Sequence, residues 1–270
     1  MSAASRYVEI TADGRALRLE YQWIGAPQAD APLLLFLHEG LGSVAMWRDF
    51  PARLCAATGC RGLVYSRPGY GGSTPRRPDE RWPPDFLERQ ARQVLPAFLA
   101  GVGVDAARQP VILFGHSDGA SIALIAAGEP DAARVGTWAG VIVMAPHLFA
   151  ESISLTSIRA IREVYAAGAL RDRLARFHDD VDSAFFGWNE VWLDADFAAF
   201  SLEAAVARIA CPVLAIQGVD DEYGTMRQVE RIAELTARTQ VLKLDACGHS
   251  PHRDQPDAVI AAVRDWLPTR

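Results

Sequence analysis

The sequence predicts an α/β fold: a mostly parallel, doubly wound sheet with an N-terminal antiparallel hairpin and a helical insertion. Three observations predict it. Six short, nearly continuous apolar runs (Leu33 to His38, Gly62 to Tyr65, Val111 to Phe114, Gly140 to Met144, Val213 to Gln217 and Val241 to Leu244) read as parallel strands covered on both faces. Segments of helical pattern lie between most of them. From His147 to Ile209 that alternation stops, and no β-type run occurs.

The elements follow in order. Tyr7 to Ile10 and Ala16 to Trp23 alternate apolar with polar residues around Asp13-Gly14, the pattern of a hairpin at a sheet edge. Helices are expected over Trp47 to Ala57, Phe86 to Ala100, Ser117 to Ala127, Tyr223 to Thr236 and Pro256 to Trp266. Strand and helix in alternation imply right-handed crossovers. The interval 147–209 contains amphipathic stretches at Ser154 to Ala166, Leu170 to His178 and Ala195 to Ile209, together with the aromatic cluster Phe185 to Trp192. It reads as a helical cap inserted after the fourth parallel strand, with residues 1–146 and 210–270 forming the core domain. Such an insertion would lie over the strand C-termini, where open α/β sheets bind ligands. Phe186, Trp188 and Trp192 are therefore candidates to line a substrate pocket, and the other reading of each ring is that it glues the insertion to the body.

Composition narrows the function classes. The chain has 270 residues, a net charge of −6 and 27 Lys plus Arg residues that are scattered rather than massed in a stripe. That argues against a nucleic-acid partner. Met1 to Thr11 has no basic segment followed by an apolar one, and no apolar run approaches membrane-spanning length, so a cytoplasmic protein with no membrane partner is expected. A homodimer is left open. Cys55, Cys60, Cys211 and Cys247 form no C-x-x-C and read as buried free thiols, with Cys247 considered as a reactive group only for its nearness to His249.

The chemistry concentrates at Gly115-His116-Ser117-Asp118-Gly119, which follows an apolar run and precedes an Ala-rich one. Strand, sharp turn and helix make this Gly-x-Ser-x-Gly a nucleophile elbow, with Ser117 held in a strained turn and its hydroxyl exposed. A serine nucleophile needs a base, and the base needs an acid to fix its tautomer. Asp221 follows the fifth run and His249 the sixth. Asp220 and Glu222 flank Asp221 and read as a solvated acidic turn; the offset from Gly218 favours Asp221. His252 competes with His249, and Gly248 favours His249. Acyl transfer also needs donors for an oxyanion. The Asp118 backbone N–H is one, and the loop His38-Glu39-Gly40-Leu41-Gly42-Ser43 supplies the second through Gly40 or, next, Leu41. His116 and His147 read as hydrogen-bonded packing residues at strand ends, with His147 also a substrate-facing candidate, and His178 as an exposed helix-end residue.

No metal site and no cofactor are expected. His38 to Gly42 begins like H-E-x-x-H but lacks the second histidine, Gly101 to Ala106 matches G-x-G-x-x-A but precedes a strand, and no phosphate-binding G-x-x-x-x-G-K-[ST] occurs.

At these residues the chain resembles the α/β-hydrolase superfamily, and the likeness extends over essentially the whole length. His38 to Ser43 looks like the family's His-Gly oxyanion loop, with Glu39 in place of the usual second residue. Ser66 to Ser73 is similar to its Asp-x-Arg-Gly-x-Gly-x-Ser turn, departing by Pro68. Gly218 to Asp221 looks like the acid turn and Gly248-His249 the catalytic histidine, in the chain order Ser, acid, His. The resemblance implies a cofactor-independent serine hydrolase with a helical cap, acting on a small ester or thioester. C–C bond or amide and aminoacyl hydrolysis, and a non-catalytic small-molecule receptor, are the alternatives. Asp118 resembles the Ser-Asp-Gly of esterases acting on amino-acid esters, so Asp118 and Glu39 could meet a substrate amine. The favoured reading is that Asp118 caps the elbow helix and Glu39 pairs with Arg67 or another basic residue.

Overall fold

A computed structural model describes residues 5–26, 31–130 and 138–267, so Met1 to Ala4 of the N-terminal stretch read above lie outside it. The hairpin forms as β1 (Arg6–Ala12) and β2 (Arg15–Ile24), joined by Asp13 and Gly14, both at positive φ. The apolar runs form β3 (Leu33–Leu37), β4 (Arg61–Tyr65), β5 (Val111–His116), β6 (Gly140–Met144), β7 (Val213–Gly218) and β8 (Thr239–Leu244). One eight-stranded sheet results, in the order β1-β2-β4-β3-β5-β6-β7-β8, antiparallel at β1-β2-β4 and parallel from β4 to β8. Every residue of β3, β5, β6 and β7 is buried, which is why those strands read as unbroken apolar runs, whereas the edge strand β8 buries only Leu244 fully.

The core divides between the two sheet faces. Helices α1 (Phe50–Thr58) and α11 (Pro256–Trp266) cover one, with Phe36, Trp47, Phe114 and Val259 between them. The other face takes α2 (Phe86–Arg89), a π turn (Gln90–Val94), α3 (Leu95–Gly101) and α4 (Asp118–Ala127). Helix α4 is buried from Asp118 to Ala126, so its faces show no polar stripe. The first expected helix starts late: Ala45–Trp47 is a 3-10 turn and Arg48, at φ 53°, breaks it from α1.

Between β6 and β7 run α5 (Ser152–Ala166), α6 (Ala169–Leu174), α7 (Val181–Trp192), a 3-10 turn (Ala195–Ala199) and α8 (Glu203–Val206). The aromatic cluster, given no element of its own by the sequence pattern, forms the last two turns of α7. One expectation needs correction: Ala195 to Ile209 is not one helix. Phe197 and Phe200 stack on each other and against Trp192, and the chain turns to bury them. Helices α9 (Arg227–Leu235) and α10 (Pro251–Asp254) complete the described elements. No helix among the described residues is long and apolar enough to cross a membrane.

Candidate active site

Ser117 sits between β5 and α4 at φ 53° and ψ −119°, a conformation that costs a non-glycine residue roughly 1–3 kcal/mol. The surroundings enforce it. Its N–H donates to the Met144 carbonyl at 2.9 Å, and the flanking glycines admit close backbone contact. A Cβ on Gly115 would fall 2.6 Å from the Ala120 nitrogen, and one on Gly119 would fall 2.7 Å from the His38 carbonyl oxygen and closer still to that of Leu37. The elbow therefore wedges α4 against the end of β3.

The sheet brings the three candidate residues together from distant positions. The Ser117 hydroxyl lies 3.0 Å from His249 Nε2, and His249 Nδ1 lies 2.9 Å from both carboxylate oxygens of Asp221. An Nδ1–H donating to the carboxylate leaves Nε2 free to accept from the serine. Asp221 is held in turn by the N–H groups of Tyr223 (2.7 Å) and Gly224 (3.2 Å) and by Gln217 Nε2 (2.7 Å). Burial would raise the Asp221 pKa, but the His249 hydrogen bond and charge outweigh it and hold the carboxyl below its ordinary value. Burial likewise opposes charging of His249, yet the bond and charge of Asp221 prevail and raise its pKa above the usual 6.5. Asp220 and Glu222 are exposed, and the Glu222 carboxylate accepts the His249 backbone N–H at 3.3 Å while its carbonyl accepts from the Ser157 hydroxyl at 2.6 Å. His252 stacks among Trp47, Phe50 and His116, and burial drives its pKa down to about 3.

The loop from His38 to Ser43 is pinned by histidines. His38 donates from Nδ1 to the Glu39 carbonyl (2.7 Å) and accepts the Arg67 N–H at Nε2 (2.9 Å). His178 accepts the Gly71 N–H at Nδ1 (2.9 Å), which leaves Nε2–H to donate to the Leu41 carbonyl (3.0 Å). His178 is thus buried and neutral rather than an exposed helix-end residue, because this bridge ties the inserted segment to the loop. Among the described residues, the N–H groups of Gly40, Leu41 and Asp118 have no protein acceptor.

Asp118 differs from expectation, whereas Glu39 lies against another basic residue as expected. The Asp118 side chain caps nothing: wholly buried, it accepts from Trp192 Nε1 (3.0 Å) and lies 3.4 Å from Arg67 Nη2. A carboxylate enclosed in this way is not open to a substrate amine. Burial pushes its pKa up, against the opposing effects of Arg67 and Trp192. The Glu39 carboxylate lies 3.5 Å from His116 Nδ1, while Arg67 takes the Glu39 main-chain carbonyl. His116 also donates from Nε2 to the His249 carbonyl at 2.7 Å.

Of the aromatic candidates, Trp188 lies over Gly40, where a Cβ would fall 2.9 Å from its Cε2. Trp192, one turn later on the same face, is fully buried against Asp118 and His147 and holds the elbow. Phe186 is on the other face of α7, against Tyr165 and Arg162, and is not brought to the triad. His147 packs between Trp192 and His249, with burial and the His249 charge taking its pKa down to about 3. Cys247 is a buried thiol pushed up to about 11, an environment that disfavours the reactive thiolate. All four cysteines are free, and among the described residues no group of three or more His, Cys, Asp or Glu side chains is placed to hold a metal ion. Sequence reasoning missed His178 and Gln217. The one usable signal was a glutamine closing the apolar run of β7.

Comparison with known proteins gives the family and the fold. Residues 34–262 match the model of the alpha/beta hydrolase family. The chain belongs to that family. Human monoglyceride lipase is 24% identical over 289 residues, covering 97% of this chain and 89% of the lipase. Among solved structures, an epoxide hydrolase from hot-environment metagenomes superposes with a TM-score of 0.73 at 20% identity over 100% of both chains. An esterase from Thermogutta terrifontis gives 0.70 at 19% identity over 98% of both. At these identities the solved structures establish the shared fold. In this α/β hydrolase the turns carrying Ser117, Asp221 and His249 follow the C-terminal ends of the parallel strands β5, β7 and β8.

Proposed function

We propose that this α/β hydrolase is a serine hydrolase that cleaves a small carboxylic ester or thioester through an acyl-enzyme on Ser117. The observation that carries the proposal is the unbroken relay of 3.0 Å from Ser117 Oγ to His249 and 2.9 Å from His249 to Asp221. In the acylation step His249 Nε2 takes the hydroxyl proton as Oγ bonds to the carbonyl carbon. The carbonyl oxygen, now an oxyanion, accepts from the Gly40 and Asp118 N–H groups, each such donor contributing about 3 kcal/mol. Collapse of this intermediate expels the alkoxide or thiolate, which leaves with the proton from His249. A water deprotonated by His249 then repeats the sequence and releases the acid. Asp221 stays ionised throughout and stabilises the imidazolium.

A serine at the elbow supports acyl chemistry over epoxide opening. Attack of a hydroxyl on an epoxide would leave a serine ether with no hydrolytic exit, whereas an acyl ester turns over. With the Asp118 carboxylate enclosed by Arg67 and Trp192, the proposed substrate carries no obligatory amine.

Intact mass after incubation with a fluorophosphonate tests the proposal. One adduct per wild-type chain, absent in Ser117→Ala and lost or greatly slowed in His249→Ala, is expected, together with turnover of p-nitrophenyl esters or acyl thioesters. A folded wild-type protein that neither labels nor turns over these substrates would overturn it and bring forward the non-catalytic receptor.

A further inference from the structure

The mechanism leaves one buried charge without a task. The Arg67 side chain has no solvent exposure, and it lies under both halves of the proposed oxyanion hole. One Nη2 reaches the Glu39 carbonyl at 2.9 Å and the Asp118 carboxylate at 3.4 Å, while the guanidinium carbon stands 4.6 Å over the Tyr70 ring. Among the described residues, Nε and Nη1 have no hydrogen-bond partner. Stability alone is a poor explanation, because a buried ion pair is commonly no better than an apolar replacement of the same volume.

The geometry of the peptide unit supplies the task. The Glu39 carbonyl and the Gly40 N–H belong to the same planar trans peptide, so they point in opposite directions. That carbonyl accepts three donors: His38 Nδ1–H at 2.7 Å, Arg67 Nη2 at 2.9 Å and the Gly42 N–H at 3.1 Å. Fixing the oxygen on the Arg67 side fixes the Gly40 N–H on the other. A cation on the carbonyl end also draws electron density along the amide and makes that N–H a stronger donor. The same guanidinium approaches the side chain of Asp118, whose backbone N–H is the second oxyanion donor.

We infer that Arg67 is the positioning residue of the oxyanion hole, holding the Glu39–Gly40 peptide and Asp118 in the mutual geometry that the tetrahedral intermediate requires. The inference rests on the acyl-enzyme reading above. Arg67 acts through the two backbone N–H groups and touches no reacting atom. Because their interaction strengthens only as the oxyanion forms, loss of Arg67 falls on kcat and leaves KM nearly unchanged.

The test uses p-nitrophenyl butyrate turnover and the affinity of an alkyl trifluoromethyl ketone, which adds to Ser117 to give a tetrahedral oxyanion. Wild-type labelling and turnover come first; if both fail, the acyl-enzyme reading falls, whatever Arg67 does. With an active wild type, Arg67→Met is expected to lower kcat about 100-fold, with KM within about threefold and ketone affinity reduced in parallel with kcat. Arg67→Lys keeps the charge without the planar fork and should recover part of both losses. Should Arg67→Met fail to fold because Asp118 is left unpaired, Arg67→Met/Asp118→Asn removes both charges and is expected to fold with the same catalytic defect. Any folded Arg67 variant with kcat and ketone affinity within about threefold of wild type overturns the inference, as does a defect confined to KM.

Discussion

Replacing Gly119 with alanine tests the packing that creates the elbow. The added methyl would lie 2.7 Å from the His38 carbonyl oxygen and closer to that of Leu37, atoms of β3 and of the loop that follows it. Ordinary contact for such a pair is about 3.5 Å or more, so α4 and the end of β3 must separate by roughly an ångström. Neither side gives easily: Leu37 is in register with Gly115 of β5, and α4 is buried along nearly its whole length. Overpacking of this kind costs about 1–3 kcal/mol, and a clash with main chain rather than a flexible side chain belongs at the upper end. At about 2–4 °C per kcal/mol for a domain approaching this size, the melting temperature should fall by about 5–10 °C. The separation would also move Ser117 and Asp118 relative to Gly40, so turnover of an ester that wild type hydrolyses should fall by at least about tenfold, since misplacement by an ångström can cost about 100-fold. The assay is calorimetric melting beside p-nitrophenyl ester kinetics, with Gly224→Ala as the control. A methyl at Gly224 meets only ordinary contacts of 3.6 Å or longer, so that variant should melt at or slightly above wild type. A Gly119→Ala protein with wild-type melting and turnover would refute the argument that this glycine is required by close packing.

Two further predictions follow from the same site. His249 must be unprotonated to accept the serine proton, and Asp221 raises its pKa, so kcat/KM should fall as pH drops through a value above 6.5; Asp221→Asn should lower kcat by about 10⁴-fold, and an acid limb below 6.5 in wild type would contradict the ion-pair assignment. Trp192→Phe keeps an aromatic ring but removes part of a fully buried indole together with the N–H that Asp118 accepts at 3.0 Å, leaving a carboxylate oxygen short of a donor beside a small cavity; urea unfolding should show a loss of at least about 1–3 kcal/mol, and a loss below about 0.3 kcal/mol would mean that the bond contributes nothing.

What was legible in the sequence divides along physical lines. The strands β3 to β7 could be read because burial on both faces demands continuous apolar residues, and the elbow could be read because a strained turn with close backbone approach demands glycines at Gly115 and Gly119. The three candidate residues could be picked out because each stands shortly past an apolar run, Val111 to Phe114, Val213 to Gln217 or Val241 to Leu244. Helix α7 was harder, since besides the face of Val181, Phe185, Trp188 and Trp192 it also buries Ser183, Gly187 and Asn189, so burial on the other faces falls on residues that carry no apolar signal. The Ala-rich stretch after it looked helical by propensity and is broken because Phe197 and Phe200 pack on Trp192, a tertiary contact that outweighs small local preferences.

The side-chain pairings were legible least of all. His178 next to Asp179 and Asp180 has the composition of a solvated helix end, yet its ring spans Gly71 and Leu41, each more than a hundred positions away. Arg67 next to Pro68 reads as a turn residue, and only the sheet order, which seats β3 between β4 and β5, brings it under both Glu39 and Asp118. Local composition specifies the conformation a segment adopts, whereas the partner of a buried polar group depends on which strand ends become neighbours. In this α/β hydrolase the candidate nucleophile and base belong to the first kind of information. The network that orients the oxyanion peptide belongs to the second, and so substitution of Arg67, rather than of Ser117, is the experiment for which the structure was required.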